Sequence, residues 1–105
     1  MIGTWTVESY SLNGADQTTA YKAQYANYSI DFDASNNYVE TYVLNGTNTT
    51  NAGPWIVTNG GSTLQLTNRS NDSIRQFHIN SITNNTADLV LNTSLGAQEY
   101  HYLKH

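Results

Sequence analysis

The side chains that could carry out chemistry are few and scattered along the chain. There are three histidines and no cysteine, so there is no thiolate nucleophile and no cysteine-ligated metal. His101 and His105 are four residues apart, but this spacing aligns two metal ligands on a helix and not on a strand. His78 alternates with Phe77 and Ile79 and is predicted to face solvent. The sequence therefore predicts no metal site, no catalytic residue, no cofactor and no enzyme activity.

Residues 31–37 alternate oxygen-bearing side chains like the first half of a calcium-binding loop. Asn36 stands where such a loop needs glycine, and Tyr42 stands where it needs a bidentate glutamate. Asp31 and Asp33 share one face of one strand, whereas glycoside hydrolysis needs two acids that flank the sugar. Because Asp and Asn are ordinary turn residues, we predict a hairpin turn here.

Charge and length exclude several classes of partner. Eight acidic and four basic residues give a net charge of -4, and no run of either sign indicates nucleic acid or an anionic membrane surface. No apolar run approaches the roughly 18 residues of a membrane-spanning helix, and the first residues lack the pattern of a signal peptide. A chain of 105 residues is expected to form a single domain over residues 1–105. The oligomeric state stays open.

Short runs with apolar residues at alternate positions predict the elements that position these side chains. The eight predicted strands are residues 4–12, 28–33, 38–44, 55–58, 63–68, 73–82, 87–92 and 98–104. Asn and Gly between most of them favour antiparallel hairpins. Residues 13–27 predict a short helix, capped by Asp16, Thr18 or Thr19, that either plugs a barrel end or forms a ligand portal. Tyr21 and Tyr25 would share one face of this helix.

Closure of these strands into a barrel removes the unpaired edges that a flat sheet would expose. A sandwich is the alternative, but its crossings need long connections, and the longest predicted after residue 27 is a loop at 45–53. The sequence therefore predicts an all-β fold: an eight-stranded antiparallel up-and-down barrel with a short helix between the first two strands. Such an interior is either filled by side chains or holds one small ligand.

Strand alternation assigns the side chains that point inward. They are Trp5, Val7, Tyr28, Ile30, Phe32, Trp55, Val57, Leu64, Leu66, Phe77, Ile79, Leu89 and Leu91. Two strands leave the parity open. The alternatives are Val39, Thr41 and Val43 or Tyr38, Glu40 and Tyr42 in one strand, and Tyr100 and Tyr102 or His101 and Leu103 in the last.

One short motif occurs twice, and with its neighbours it resembles a known family. The segments Gly3-Thr4-Trp5 and Gly53-Pro54-Trp55 are each predicted to begin a strand, where glycine admits a close backbone approach and tryptophan covers the barrel end. We therefore predict structural roles at the barrel ends for Gly3, Trp5, Gly53 and Trp55.

Four motifs occur in this order along the chain: Gly3-Thr4-Trp5-Thr6-Val7-Glu8-Ser9-Tyr10, Tyr28-Ser29-Ile30-Asp31-Phe32-Asp33 followed by Tyr38, Gly53-Pro54-Trp55, and Leu64-Gln65-Leu66-Thr67. Together they resemble the small bacterial lipocalin-like domains. The resemblance implies a calycin-type barrel, often exported or attached to the cell envelope, with no established common activity. The chain departs from lipocalins proper in being shorter. It also has Lys104 where they place an arginine against the first tryptophan. A lipid anchor would need a cysteine, which this chain lacks.

Two functions follow from this fold. The barrel binds a small apolar or aromatic ligand at one end, or a filled barrel acts as a protein-interaction module of the cell envelope through an outer strand face or the loop at 45–53. A connected cavity of roughly a few hundred Å3 would favour the first, and a lumen closed by Trp5, Trp55 and the tyrosines would favour the second. The predicted ligand-lining residues are Tyr28, Phe32, Phe77, Tyr100 and Tyr102.

Overall fold

The computed structural model describes residues 2–105 and is dominated by one antiparallel sheet closed into a barrel. Eight strands form the barrel wall, which closes because the first strand of the chain pairs with both the second and the last strand of the wall. The prediction of an eight-stranded up-and-down barrel with one short helix is confirmed. The elements are β1 Gly3–Leu12, β2 Ala15–Asp16, α1 Thr18–Gln24, β3 Tyr25–Phe32, β4 Asn37–Leu44, β5 Thr47–Thr58, the 3-10 turn Asn59–Gly61, β6 Thr63–Thr67, β7 Ile74–Ile82, β8 Thr86–Thr93 and β9 Gly96–Lys104.

Asparagine supplies the tight turns between strands. Asn45 and Gly46, which join β4 to β5, have φ values of 52° and 77°, the left-handed conformation that a two-residue hairpin needs at both positions. The turn between β3 and β4 is a hairpin as predicted. There Asp33 Oδ1 accepts hydrogen bonds of 2.9 Å from the backbone N–H groups of Ser35 and Asn37.

Strand β5 is much longer than predicted, and the predicted loop at 45–53 is wrong. Residues from Thr47 onward pair with β4, so only the turn at Asn45 and Gly46 precedes the strand. The abundance of Thr and Asn in this segment predicts a loop, yet threonine is β-branched and suits the outward positions of a sheet. An interaction loop at 45–53 is therefore excluded.

Gly53 and Pro54 lie inside β5. The prediction that they begin the strand is wrong. The strand changes partner here, since Pro54 pairs with β4 and Trp55 pairs with Leu66 of β6. Gly53 is buried, and a side-chain carbon on it would lie 1.8 Å from the Thr67 carbonyl oxygen. Glycine is required because two backbones meet at this point.

The barrel interior is filled by side chains. The remaining void among them measures about 10 Å3, which holds one water molecule at most. The parity of the two open strands is settled, because Tyr38 and Tyr102 are buried whereas Val39 is 45% exposed. The buried apolar residues are Trp5, Val7, Ile30, Phe32, Tyr38, Leu64, Leu66, Phe77, Ala87, Leu89 and Tyr102.

Val57 is the one predicted core residue whose side chain is exposed, although it shares the inward face with its ladder partner Leu64. Its side chain is 37% exposed, whereas Ile79 and Leu91 are partly buried and pack against the core. The rings of Phe32 and Trp55 meet edge to face 5.4 Å apart and already close this end of the barrel. The ladder between β4 and β5 ends at Asn37 and Pro54, so Val57 has no β4 neighbour and one side of it stays uncovered.

Candidate functional site

The helix α1 lies at one end of the barrel, called here the helix end, where Leu12 finishes β1 and Tyr25 begins β3. The helix N-cap is Gln17, which makes no side-chain cap bond, so the predicted caps are wrong. Asp16 instead accepts hydrogen bonds from the Thr18 N–H and hydroxyl, 3.0 and 2.5 Å long. These two bonds lower the pKa of Asp16 and fix the entry of the chain into α1.

Seven of the eight tyrosines form one network of ring contacts at the helix end. Ring centroids lie between 4.7 Å, for Tyr10 and Tyr21, and 6.3 Å, for Tyr28 and Tyr102. The members are Tyr10, Tyr21, Tyr25, Tyr28, Tyr42, Tyr100 and Tyr102. Aromatic pairs at these separations attract each other beyond their buried area, so the network ties α1 to β1, β3, β4 and β9.

Four rings of this network, those of Tyr10, Tyr21, Tyr25 and Tyr100, line a cleft between α1 and the barrel rim. The cleft has a volume of about 390 Å3 and is called here the aromatic cleft. Leu95, in the turn between β8 and β9, is 71% exposed and lies at its edge. Among the residues that the structure describes, none with a charged side chain lines it. Its lining residues are Tyr10, Leu12, Gln17, Ala20, Tyr21, Gln24, Tyr25, Leu95, Gln98 and Tyr100.

A buried polar network lies next to the ring network and is joined to it through Tyr28. Glu40 on β4 is only 3% exposed, and Arg75 on β7 donates two hydrogen bonds to its carboxylate, 2.8 and 3.2 Å long. The hydroxyl of Tyr28 donates a third bond of 2.5 Å, and the Asn51 side-chain amide donates a fourth of 3.2 Å. Four donors satisfy the buried charge, as burial of a carboxylate requires.

Burial dominates the electrostatics of the helix end. Burial raises the pKa of Tyr28 well above its ordinary value, and the neighbouring Tyr102 and Glu40 raise it further. Burial also raises the pKa values of Tyr21, Tyr100 and Tyr102. For Arg75, burial lowers the pKa, but the charge and hydrogen bonds of Glu40 outweigh it, so the net pKa is raised. These tyrosines are therefore neutral and Arg75 is charged at neutral pH.

A second titratable cluster lies on the outer face of the barrel. His101 Nδ1 contacts Asp88, and its Nε2 lies 3.1 Å from Glu8 Oε2. The hydrogen bond from His101 lowers the pKa of Asp88, and Ser81 donates a 2.8 Å bond to the same carboxylate. The Ser81 hydroxyl thus bonds to the carboxylate and not to the imidazole, so the cluster lacks the order of a nucleophile activated by histidine. Over residues 2–105, the structure contains no group of three His, Cys, Asp or Glu that could hold a metal.

Comparison with known proteins assigns this barrel to a family. A family model described as a lipocalin-like domain matches residues 1–87. The chain belongs to the lipocalin-like domain family. No curated protein matches it. Within the described residues, none of the helices has the length and apolar character to cross a membrane.

The lipocalin-like barrel brings four of the five predicted ligand-lining residues into ring contact, because Tyr102 meets Tyr28 and Tyr100 and Tyr100 also meets Phe77. The ring of Phe32 instead packs on Trp55. Phe32, Phe77 and Tyr102 belong to the filled core, and Tyr28 belongs to the polar network around Glu40. Tyr100 lines the aromatic cleft. Their contact with a ligand stays a prediction.

The four predicted barrel-end residues lie away from the helix end. Trp5 is buried and pairs with Ile30, and Trp55 packs on Phe32. Gly3 has a φ of 128°, and an added side-chain carbon would lie 2.5 Å from Lys104 Cε. Lys104 pairs with Trp5 in the ladder, the place that the resemblance assigned to it.

Sequence reasoning missed most of the helix-end site. Two signals pointed to it: the spacing of Tyr21 and Tyr25, whose rings do meet 4.8 Å apart, and the inward alternative for the last strand, which gave Tyr100, a residue of the cleft. Tyr10 and Leu95 were not singled out, because no local pattern shows that the end of β1 and the last turn meet. Glu40 and Arg75 are 35 residues apart in the chain, and only the alternative parity of β4 pointed to a buried glutamate.

Proposed function

We propose that this lipocalin-like domain binds a small, neutral aromatic ligand in the aromatic cleft. The observation that carries the proposal is the tyrosine wall of that cleft, formed by Tyr10, Tyr21, Tyr25 and Tyr100. The volume of about 390 Å3 falls in the range of roughly 300–1,000 Å3 for small-molecule sites. Tyrosine rings stack on a planar ligand, and the absence of lining charges favours a neutral one.

The ligand would lie on the barrel rim and not inside the barrel. The void in the lumen is about 10 Å3, far too small for an aromatic molecule. Tyr28, which bonds to Glu40, packs against Tyr21 of the cleft. Tyr102 likewise packs against Tyr100. These buried side chains support the rings that line the cleft. Gln98, which accepts a 3.0 Å hydrogen bond from the Tyr100 hydroxyl, and the exposed Gln17 and Gln24 offer polar partners at the cleft edge.

Titration with N-phenyl-1-naphthylamine, a neutral aromatic probe whose fluorescence rises in apolar surroundings, tests this proposal. We expect Tyr21→Ala to weaken binding by about tenfold or more, since one stacking ring is lost. Leu95→Gln should weaken it by about threefold or more through lost apolar contact. Ile82→Gln is the matched control, because Ile82 is also exposed, 44%, but lies outside the cleft. Equal probe affinity in Leu95→Gln, Ile82→Gln and the parent protein would overturn the proposal.

Binding without turnover is part of the proposal. Support comes from the outer His101 cluster, in which Ser81 bonds to Asp88 and not to the histidine. We expect folded His78→Ala to keep every activity of the parent protein, since His78 is exposed. An activity lost in this variant would contradict the proposal. An exported or envelope location is likewise proposed, with the family resemblance as its support, and fractionation of the source cells tests it.

A second candidate function is a protein-interaction module, and the filled lumen favours it. Native mass spectrometry of freshly purified protein separates the two candidates. A retained small molecule supports the cleft, and a stoichiometric protein partner without a small molecule supports the interaction module. The outer strand faces remain available for such a partner, whereas the predicted loop at 45–53 does not exist.

A further inference from the structure

The barrel wall is open between β7 and β8 at the helix end. The ladder between these strands runs from Ile82 opposite Ala87 to His78 opposite Val90. Beyond that last pair, β7 extends to residue 74 and β8 to residue 93, and the described residues show no register partners there between the two strands. The space has a volume of about 740 Å3 and is called here the wall opening. Its lining residues are Ile74, Arg75, Gln76, Leu91, Asn92 and Thr93.

The β7 edge directs backbone groups into the wall opening. In an antiparallel ladder, successive residues turn their N–H and C=O groups to opposite edges. The Ile79 N–H donates to the Ser62 carbonyl on the β6 side, so the odd-numbered residues of β7 face β6. Ile74 and Gln76 therefore direct their backbone N–H and C=O groups towards β8, across the wall opening.

The β8 edge does the same from the other side. The Lys104 N–H donates to the Asn85 carbonyl on the β9 side, which assigns the odd-numbered residues of β8 to β9. Asn92 therefore directs its backbone N–H and C=O groups towards β7. Two strand edges thus face each other with backbone groups that the β7–β8 ladder does not use.

The two edges carry one of the usual protections against pairing with another chain, the inward-pointing charge of Arg75. Proteins protect exposed edges with lysine, proline or an inward-pointing charge, and residues 74–77 and 91–93 include no lysine and no proline. The charge of Arg75 is neutralised by Glu40. Ile74, 57% exposed, and the partly buried Leu91 add apolar contact area beside the free edges.

We propose that the wall opening binds an extended peptide segment of a partner protein. The segment pairs with the β7 edge at Gln76 and places an apolar side chain against Leu91. An extended backbone fits because it repeats donors and acceptors at the spacing of a strand edge, the mode of recognition known as strand addition. This inference rests on the second candidate function, the interaction module, and names its surface. The wall opening shares no lining residue with the aromatic cleft.

Fluorescence anisotropy with a labelled short peptide of alternating threonine and valine, acetylated and amidated, tests the inference. The control is the same peptide with N-methylated backbone amides, which keeps the side chains and removes the donors that a strand needs. We expect the N-methylated peptide to bind at least about tenfold more weakly, because hydrogen bonds to the edge are lost. Equal binding of the two peptides, or no binding of either, would overturn the inference.

Two variants at one position locate the binding surface. Gln76→Pro removes the backbone N–H that faces the wall opening, and Gln76→Thr keeps it, while both lose the 2.9 Å side-chain bond to Gln65. We expect peptide affinity to fall about tenfold in Gln76→Pro and to stay within about twofold in Gln76→Thr. If Gln76→Pro does not fold, the two peptides still decide the question on the parent protein.

Partner binding to Gln76→Pro distinguishes a wrong binding surface from a wrong interaction function. A folded partner that binds Gln76→Pro as tightly as the parent protein would overturn the wall opening and leave the interaction function standing elsewhere on the barrel. Self-association of the purified protein that Gln76→Pro abolishes would overturn the partner peptide in favour of a second copy of this chain.

Discussion

The Arg75 guanidinium donates two hydrogen bonds to the Glu40 carboxylate across the barrel, with Nη2 2.8 Å from Oε1 and Nη1 3.2 Å from Oε2. The first residue lies on β7 and the second on β4, so the pair joins strands that are not neighbours in the sheet. Removing one partner of a buried pair leaves an uncompensated charge. We expect Arg75→Met to lower the free energy of unfolding at pH 7 by about 3 kcal/mol, measured by urea denaturation.

The double variant Glu40→Gln with Arg75→Met separates the charge effect from lost packing. Once both charges are gone, no buried carboxylate remains uncompensated, so we expect the double variant to be more stable than Arg75→Met alone. A free energy loss equal to the sum of the two single losses would show that the two side chains are not coupled.

The buried tyrosines predict a steep loss of stability in alkali. Burial raises the pKa values of Tyr21, Tyr28, Tyr100 and Tyr102 in the folded state, whereas each ionises near pH 10 in the unfolded chain. Above pH 10 the unfolded state therefore binds fewer protons, and stability falls as the pH rises. Each such tyrosine adds a slope of about 1.4 kcal/mol per pH unit. Urea denaturation between pH 10 and 11.5 measures the total slope.

Tyr102→Phe should remove one share of that slope, about 1.4 kcal/mol per pH unit, because phenylalanine keeps the ring but does not ionise. Between pH 6 and 8 the parent and the variant should show the same pH dependence, which serves as the internal control. An unchanged alkaline slope would mean that Tyr102 ionises as readily in the folded state as in the unfolded chain.

Trp5 closes the end of the barrel opposite α1 and is 2% exposed. Trp5→Ala is expected to lower the free energy of unfolding by about 3–5 kcal/mol, because it empties a large volume in a filled core. Val57→Ala is the control. It was predicted inward but is 37% exposed, so its loss should stay within about 1 kcal/mol. Comparable losses in the two variants would contradict the weak packing expected of the exposed Val57.

The barrel could be predicted from the sequence because period-two alternation and Asn-Gly turns are local signals. The apolar residues of a strand lie on one face, as do Ile30 and Phe32 in one strand and Leu64 and Leu66 in another. A shift of the strand register by one residue would expose all of them. Alternation leaves the strand at 38–44 undecided because both of its faces contain large side chains, and the burial of Tyr38 and of Glu40 beside Arg75 decides the parity. Local alternation gives no information about such a distant partner.

The candidate site was harder to predict because it depends on which strand ends meet. Tyr10, Tyr25 and Tyr100 come from three separate strands and converge only after β1 pairs with β9 and β3. The filled lumen likewise follows from the summed volume of side chains from every strand, which alternation does not give. The first half of β5 was missed because Thr and Asn carry the signals of both a turn and an outward strand face.

Substitution by alanine should destabilise the protein for different reasons at Gly46, in the turn after β4, and at Gly53, inside β5. Gly46 has a φ of 77° and open space around it, whereas an added side-chain carbon on Gly53 would lie 1.8 Å from the backbone oxygen of Thr67. Gly46→Ala should therefore cost about 1 kcal/mol of conformational strain. Gly53→Ala should cost about 3 kcal/mol or more, because β5 and β6 must move apart where β5 changes partner. Thermal and urea denaturation of both variants measure the difference. If Gly53→Ala costs no more than Gly46→Ala, the close contact of β5 with Thr67 is not what requires glycine at this position.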